Sequence, residues 1–110
     1  MKTIFQKIID GELPCDKVFE NEQIIAFKDI DPKAPIHILI VPKKAVPNMQ
    51  CMKDDDLHLF SEMAKAAQEI ARRHNIEDGY RLIINNGAKA GQTVFHLHAH
   101  MIGGTTLHDF

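Results

Sequence analysis

The stretch FHLHAHMI, residues 95–102, alternates with period two: His96, His98 and His100 take every second position, and Phe95, Leu97, Ala99 and Met101 lie between them. Successive side chains of a strand point to opposite faces, whereas a helix would spread both sets around its circumference. The alternation therefore predicts a strand over residues 94–102, with Phe95, Leu97, Ala99 and Met101 in the core and three imidazoles together on the other face. At a rise of about 3.3 Å per residue, neighbouring imidazoles sit on Cα atoms about 6.5–7 Å apart.

The rest of the chain supplies partners for that strand. Thr3 is placed to cap a helix whose apolar stripe is Ile4, Phe5, Ile8 and Ile9, and Gly11 and Pro14 end it. KVFE and IIAFKD read as short strands joined at Asn21, DPKAP as a loop, and HILIVP as a third strand. From Asp54 to His74, Leu57, Phe60, Met63, Ala64, Ala67, Ile70 and Ala71 recur at helical spacing. Asp54, Asp55 and Asp56 at its start and Arg72 and Arg73 at its end complement the helix dipole. Residues 80–84 read as a fourth strand, and residues 85–93 form a loop longer than a tight hairpin needs. Five strands and two helices in 110 residues predict one α+β domain over 1–110, with the helices covering one face of a mainly antiparallel five-stranded sheet.

Composition narrows the partners. With 45% apolar residues the chain can fill a core, and with 13 Lys plus Arg against 15 Asp plus Glu it carries no basic stripe for a nucleic acid. Cys15 and Cys51 form no C-x-x-C pair, which points to free thiols. Lys7 interrupts the apolar run of the first residues, unlike a signal peptide, and no apolar stretch approaches the roughly 20 residues of a membrane span. The expectation is a cytoplasmic protein with no membrane partner.

Three imidazoles on one face admit two chemistries. Two alternating histidines can share a zinc ion, with His37 at the start of another strand as a third ligand. Alternatively, a neutral imidazole can attack phosphorus and form a covalent phosphohistidine, dividing a hard displacement into two easier steps. Clustering favours the second: one protonated ring disfavours protonation of its neighbour, leaving a central ring neutral while a flanking ring donates to phosphate oxygens.

The segment HLHAHMI resembles the His-x-His-x-His-x-x signature of the histidine triad superfamily. TIFQKIIDGELP, AFKDIDPKAPIHILIVPKK and RLIINNGAKAGQTVFHLHAHMIGG are similar, in order and spacing, to its nucleotide-binding branch, from Thr3 to Gly104. The resemblance implies that His98 attacks the α-phosphorus of a purine nucleotide, forming a nucleotidyl-histidine that water cleaves to nucleoside monophosphate. It implies that His96 orients the nucleophilic ring, that His100 bonds the phosphate oxygens and manages the leaving-group proton, and that His37 supports the cluster. It assigns phosphate binding to Asn85, Gly91, Thr93 and the N–H of Val94, with Thr93 where Ser is usual. Asp29 corresponds to the ribose-binding acid, and Phe5, Ile8, Phe27 and Ile30 to the apolar walls of the base pocket.

The resemblance further implies a homodimer with sheets joined edge to edge, action on purine nucleoside phosphoramidates or acyl-nucleotides, and no need of a metal or cofactor. The segment TTLHDF lacks the Trp that some members carry there, which leaves the leaving-group preference open. The alternatives are hydrolysis of dinucleoside polyphosphates, as in the fragile-histidine-like branch, and a nucleotide-binding or interaction module with unidentified protein partners. Uridylyl transferases of the superfamily usually carry Gln where this chain has His100.

Overall fold

In the computed structural model, which describes residues 1–109 and leaves Phe110 outside, the run IHILIVP forms the middle of the sheet. This strand, β3 (Ile36–Pro42), is buried along nearly its whole length. It pairs with β2 (Ile24–Lys28) on one side and β5 (Ala99–Gly103) on the other. β1 (Lys17–Glu20) extends the sheet beyond β2 and β4 (Tyr80–Ile83) extends it beyond β5, giving the order β1-β2-β3-β5-β4 with every pairing antiparallel. No described helix is long and apolar enough to cross a membrane.

Helices α1 (Ile4–Ile9) and α2 (His58–Arg73) lie on opposite faces, not on one face as the sequence predicted. The reason is written in β2 and β3. IIAF and IHILIV are almost continuously apolar, so both of their faces need cover. Ile24, Ala26, Ile38 and Ile40 pack with Met63, Ala67 and Ile70 of α2, while Ile25, Phe27, Leu39 and Val41 pack with Phe5 of α1. The α2 side is the main core; truncating a fully buried side chain such as Ile70 to Ala costs about 2–5 kcal/mol.

The buried stripe of α2 is Leu59, Met63, Ala66, Ala67, Ile70 and Ala71. Leu57 and Ala64, expected on that stripe, are exposed, because Asp54–Asp56 forms a separate 3-10 turn and the bulkier Leu59–Met63–Ile70 ridge turns to the sheet. Asp56 is buried, where it accepts from the Lys53 amide and pairs with Lys44. The helix ends in a Schellman motif: Asn75 adopts φ 56°, Ile76 N–H donates to Ala71 O at 3.0 Å, and Asn75 N–H donates to Arg72 O.

Regular pairing of the last strand begins at Ala99, five residues later than predicted. Residues 94–98 run as a bent approach, held by Leu97 N–H donating to Val46 O at 2.7 Å. Leu97, Ala99 and Met101 enter the α2 core as expected, but Phe95, at the bend, is 48% exposed.

Candidate active site

The site forms on the α1 face, where the amino-terminal helix, the end of β2, the start of β3, the histidine segment and the 85–94 loop meet. Thr3 caps α1 by accepting from Gln6 N–H at 3.1 Å, which fixes the helix so that Phe5 points to the sheet. The Phe5 ring meets Phe27 edge-on at 5.5 Å and His98 edge-on at 4.9 Å. Phe5 is thus wall and brace at once.

A cavity of about 740 Å³ opens there, in the range of small-molecule sites. Of the residues singled out from sequence, His98, His100, Asp29, Asn85, Gly91, Thr93, Val94, Phe5, Ile8, Phe27 and Ile30 all line it. Ile30 does so only at the rim, with its side chain fully exposed. Leu13, Pro14, Cys15 and Leu39 also line it and were not foreseen, since nothing in their spacing distinguishes them from loop or core residues. Cys15 and Cys51 are both free. His96 and His37 do not line this cavity: His96 lies behind it, and His37 faces a smaller one of about 260 Å³ shared with Asp29, Asn85 and His100.

Hydrogen bonds fix the proton on each ring. A carbonyl only accepts, so His98 donates from Nδ1 to His96 O at 2.7 Å and keeps a lone pair on Nε2. His96 likewise donates from Nε2 to Pro42 O at 2.7 Å. An amide N–H only donates, so Lys33 N–H bonds Nδ1 of His37 at 2.9 Å and the His37 proton sits on Nε2. That proton is directed to Nδ1 of His100, 2.9 Å away, which leaves Nε2–H as the remaining donor of His100. Asp29 Oδ2 lies 3.4 Å from the same His37 nitrogen.

Burial opposes charge on the triad. Burial pushes the His98 imidazole below its ordinary value, opposed by its bond to the His96 carbonyl and by the Asp29 charge. Burial also lowers His96, against its bond to Pro42, and lowers His100, where His98 and His37 add to the effect and Asp29 opposes it. Burial thus opposes protonation at all three rings, the flanking His100 included.

Asp29, His37 and His100 offer ligand atoms within 4.8 Å of one another, a spacing a divalent cation can use. The protons argue against it. A metal would need a bare Nε2 on His37, and supplying one moves the ring proton to Nδ1 and breaks the bond from the Lys33 amide.

The 85–94 loop depends on two left-handed glycines, Gly87 at φ 91° and Gly91 at φ 94°, flanking the turn Ala88–Ala90. Gln92 follows and is 4% exposed, and sequence reasoning passed over it. A buried polar residue inside a polar loop carries no sequence signal of its own.

A five-stranded antiparallel sheet bearing a His-x-His-x-His segment, its middle ring set in the wall of a cavity, defines the histidine triad class. The chain belongs to the HIT domain family, whose model matches residues 10–107. It is 53% identical over 105 residues to a HIT-like protein of Chlamydia pneumoniae, covering 96% of both chains. A HIT family hydrolase from Clostridium thermocellum superposes with a TM-score of 0.94 at 43% identity, over 98% of this chain and 95% of that one. A HIT family hydrolase from Legionella pneumophila superposes with a TM-score of 0.92 at 40% identity, over 96% and 95%. The fold is that of HIT family hydrolases.

Proposed function

We propose that this protein hydrolyses purine nucleoside phosphoramidates or acyl-nucleotides through a covalent nucleotidyl-His98 intermediate. The observation that carries the reading is the bond from His98 Nδ1–H to its own chain at His96 O, which commits the other nitrogen's lone pair to chemistry. In the first step Nε2 of His98 forms a bond to the α-phosphorus as the bond to the leaving group breaks. His100 Nε2–H bonds the phosphate oxygens; a leaving amine takes up a proton from solvent as its bond to phosphorus breaks, and a carboxylate leaves without one. In the second step water attacks phosphorus and gives its proton to solvent as the P–N bond to His98 breaks, releasing nucleoside monophosphate and the neutral His98 ring.

The remaining walls suit the ligand. Phe5, Ile8 and Phe27 offer an aromatic and aliphatic slot for a purine, and Asp29 can accept from both ribose hydroxyls. Asn85, Thr93 and the backbone of Gly91 and Val94 supply donors for phosphate oxygens. A homodimer fits the free outer edge of β4, among the described residues, with Leu82 exposed beside it. Two free thiols accord with a cytoplasmic setting.

The test is a product assay with adenosine phosphoramidate and with a dinucleoside triphosphate, run on wild type, His98→Ala and His98→Gly. AMP release from the phosphoramidate, lost in both variants while AMP still binds, is the expected result. Mass spectrometry of quenched wild-type reactions should find the nucleotidyl adduct on the peptide containing His98. Undiminished hydrolysis without the His98 ring overturns the mechanism, and preference for the dinucleotide transfers the chain to the polyphosphate reading.

A further inference from the structure

We propose that Gln92 is a positioning residue that holds the phosphate-side loop in its donor-presenting conformation without touching the ligand. Its carboxamide closes the loop at three points. Oε1 accepts from Gly87 N–H at 2.8 Å, and Nε2 donates to Pro47 O at 2.8 Å and to Val94 O at 3.0 Å. The Gly87 peptide is gripped twice, because Gln92 N–H also donates to Gly87 O at 3.1 Å. One buried side chain therefore ties Gly87 to Val94 and fastens both to Pro47, in the segment before Met49.

The chemistry requires a carboxamide of this length. The site presents one N–H and two carbonyls, and only Gln or Asn offers an acceptor and two donors on a single planar group; Asn is shorter by a methylene. Glu keeps the acceptor and loses both donors. Met keeps the volume and orphans three backbone groups.

What lies between the tied points gives the clamp its consequence. Gly91, Thr93 and Val94 line the large cavity, and Gln92 does not. The backbone between Gly87 and Gly91 is held at left-handed φ at both ends, a conformation that a free loop leaves readily. Pro47 follows Val46, whose carbonyl accepts from Leu97 N–H at 2.7 Å, so the same anchor strip also holds the histidine segment. Gln50 N–H adds a bond of 2.8 Å to Asn86 Oδ1 on the entry side of the loop. The clamp thereby fixes the phosphate donors relative to the nucleophile.

The identity of the ligand rests on the nucleotide reading above, whereas the clamp rests on hydrogen bonds alone. The experiment compares wild type, Gln92→Glu and Gln92→Met by calorimetric binding of AMP and of adenosine, by kcat and KM on adenosine phosphoramidate, and by hydrogen exchange of amides 87–94. Expected is a loss of about 10- to 100-fold in AMP affinity and in kcat, with adenosine affinity unchanged and faster exchange confined to the loop. Unchanged exchange overturns the clamp. Faster exchange with unchanged AMP affinity, or equal losses for AMP and adenosine, overturns the positioning role. A wild type that binds no nucleotide overturns the proposed function and the ligand named here, while exchange still decides the clamp separately.

Discussion

Nε2 of His37 stands 2.9 Å from Nδ1 of His100, joining rings that lie 63 residues apart in the chain. With the Lys33 amide behind it, His37 forms a one-way chain of donors ending at His100 Nε2–H. The direction of that chain is set by a backbone group that cannot reverse.

Replacing His37 with Ala frees the His100 tautomer. We expect kcat/KM to fall about 10- to 100-fold, as for loss of a group that orients a reacting ring. Nitrogen-15 shifts should show His100 protonated on Nε2 in wild type and mixed between its two nitrogens in the variant. A variant with an unmixed His100 spectrum and full activity would remove His37 from the mechanism.

The lowered triad values make stability depend on pH with a definite sign. The unfolded rings protonate near the ordinary value of about 6.5, and burial holds the folded rings neutral below it. Between those values the unfolded chain binds more protons, so stability is fully present above about pH 6.5 and declines as pH falls toward the folded values. The slope reaches at most about 1.4 kcal/mol per pH unit for each ring. The lowered carboxylates, such as Glu20 at about 2, act in more acid solution and leave this window clear. Melting temperatures from pH 7.5 to 5 should fall; a flat or rising trend contradicts the burial argument.

The glycine pair separates loop strain from crowding. A Cβ added at Gly91 would meet no atom within 4 Å, but the residue holds φ 94°, so Gly91→Ala strains backbone alone. Gly103 is the reverse: a Cβ would meet Ile76 Cδ1 at 3.1 Å and Gly79 O at 3.2 Å. Gly91→Ala should cost about 1–2 kcal/mol and weaken nucleotide binding, and Gly103→Ala about 1–3 kcal/mol with binding spared in the folded fraction. Calorimetric melting with AMP titration reads both quantities. Equal effects on binding would sink the distinction.

Much of the fold and of the site is legible in the sequence. The capped amino-terminal helix and the apolar runs carry their structure in spacing, the period-two histidines do so only from Ala99 onward, and the cavity gathers Phe5, Asp29 and His98 from three separate segments. What spacing could not carry was relation across the sheet. The face chosen by α1 depends on two strands needing cover together, and the exposure of Phe95 depends on a bend set by Val46. Gln92 was invisible for a similar reason: its partners at Pro47, Gly87 and Val94 are backbone atoms, which have no letter in the sequence.

The outer edge of β4 leads to the last prediction. Its inner edge pairs with β5, and no described strand pairs with the other. Leu82 at the centre of the strand is 42% exposed, an apolar residue on an open edge that a second copy would cover. A two-fold joining of β4 to its counterpart would bring both copies of this strand to the junction, so Leu82→Arg would add one positive charge from each copy there. Because Leu82 is exposed in the single chain, the substitution should leave the fold intact. Sedimentation should show wild type at twice 12.5 kDa and the variant at 12.5 kDa, with unchanged circular dichroism. A wild type that sediments as a monomer at micromolar concentration, or a variant that remains dimeric, shows that this edge is not the interface.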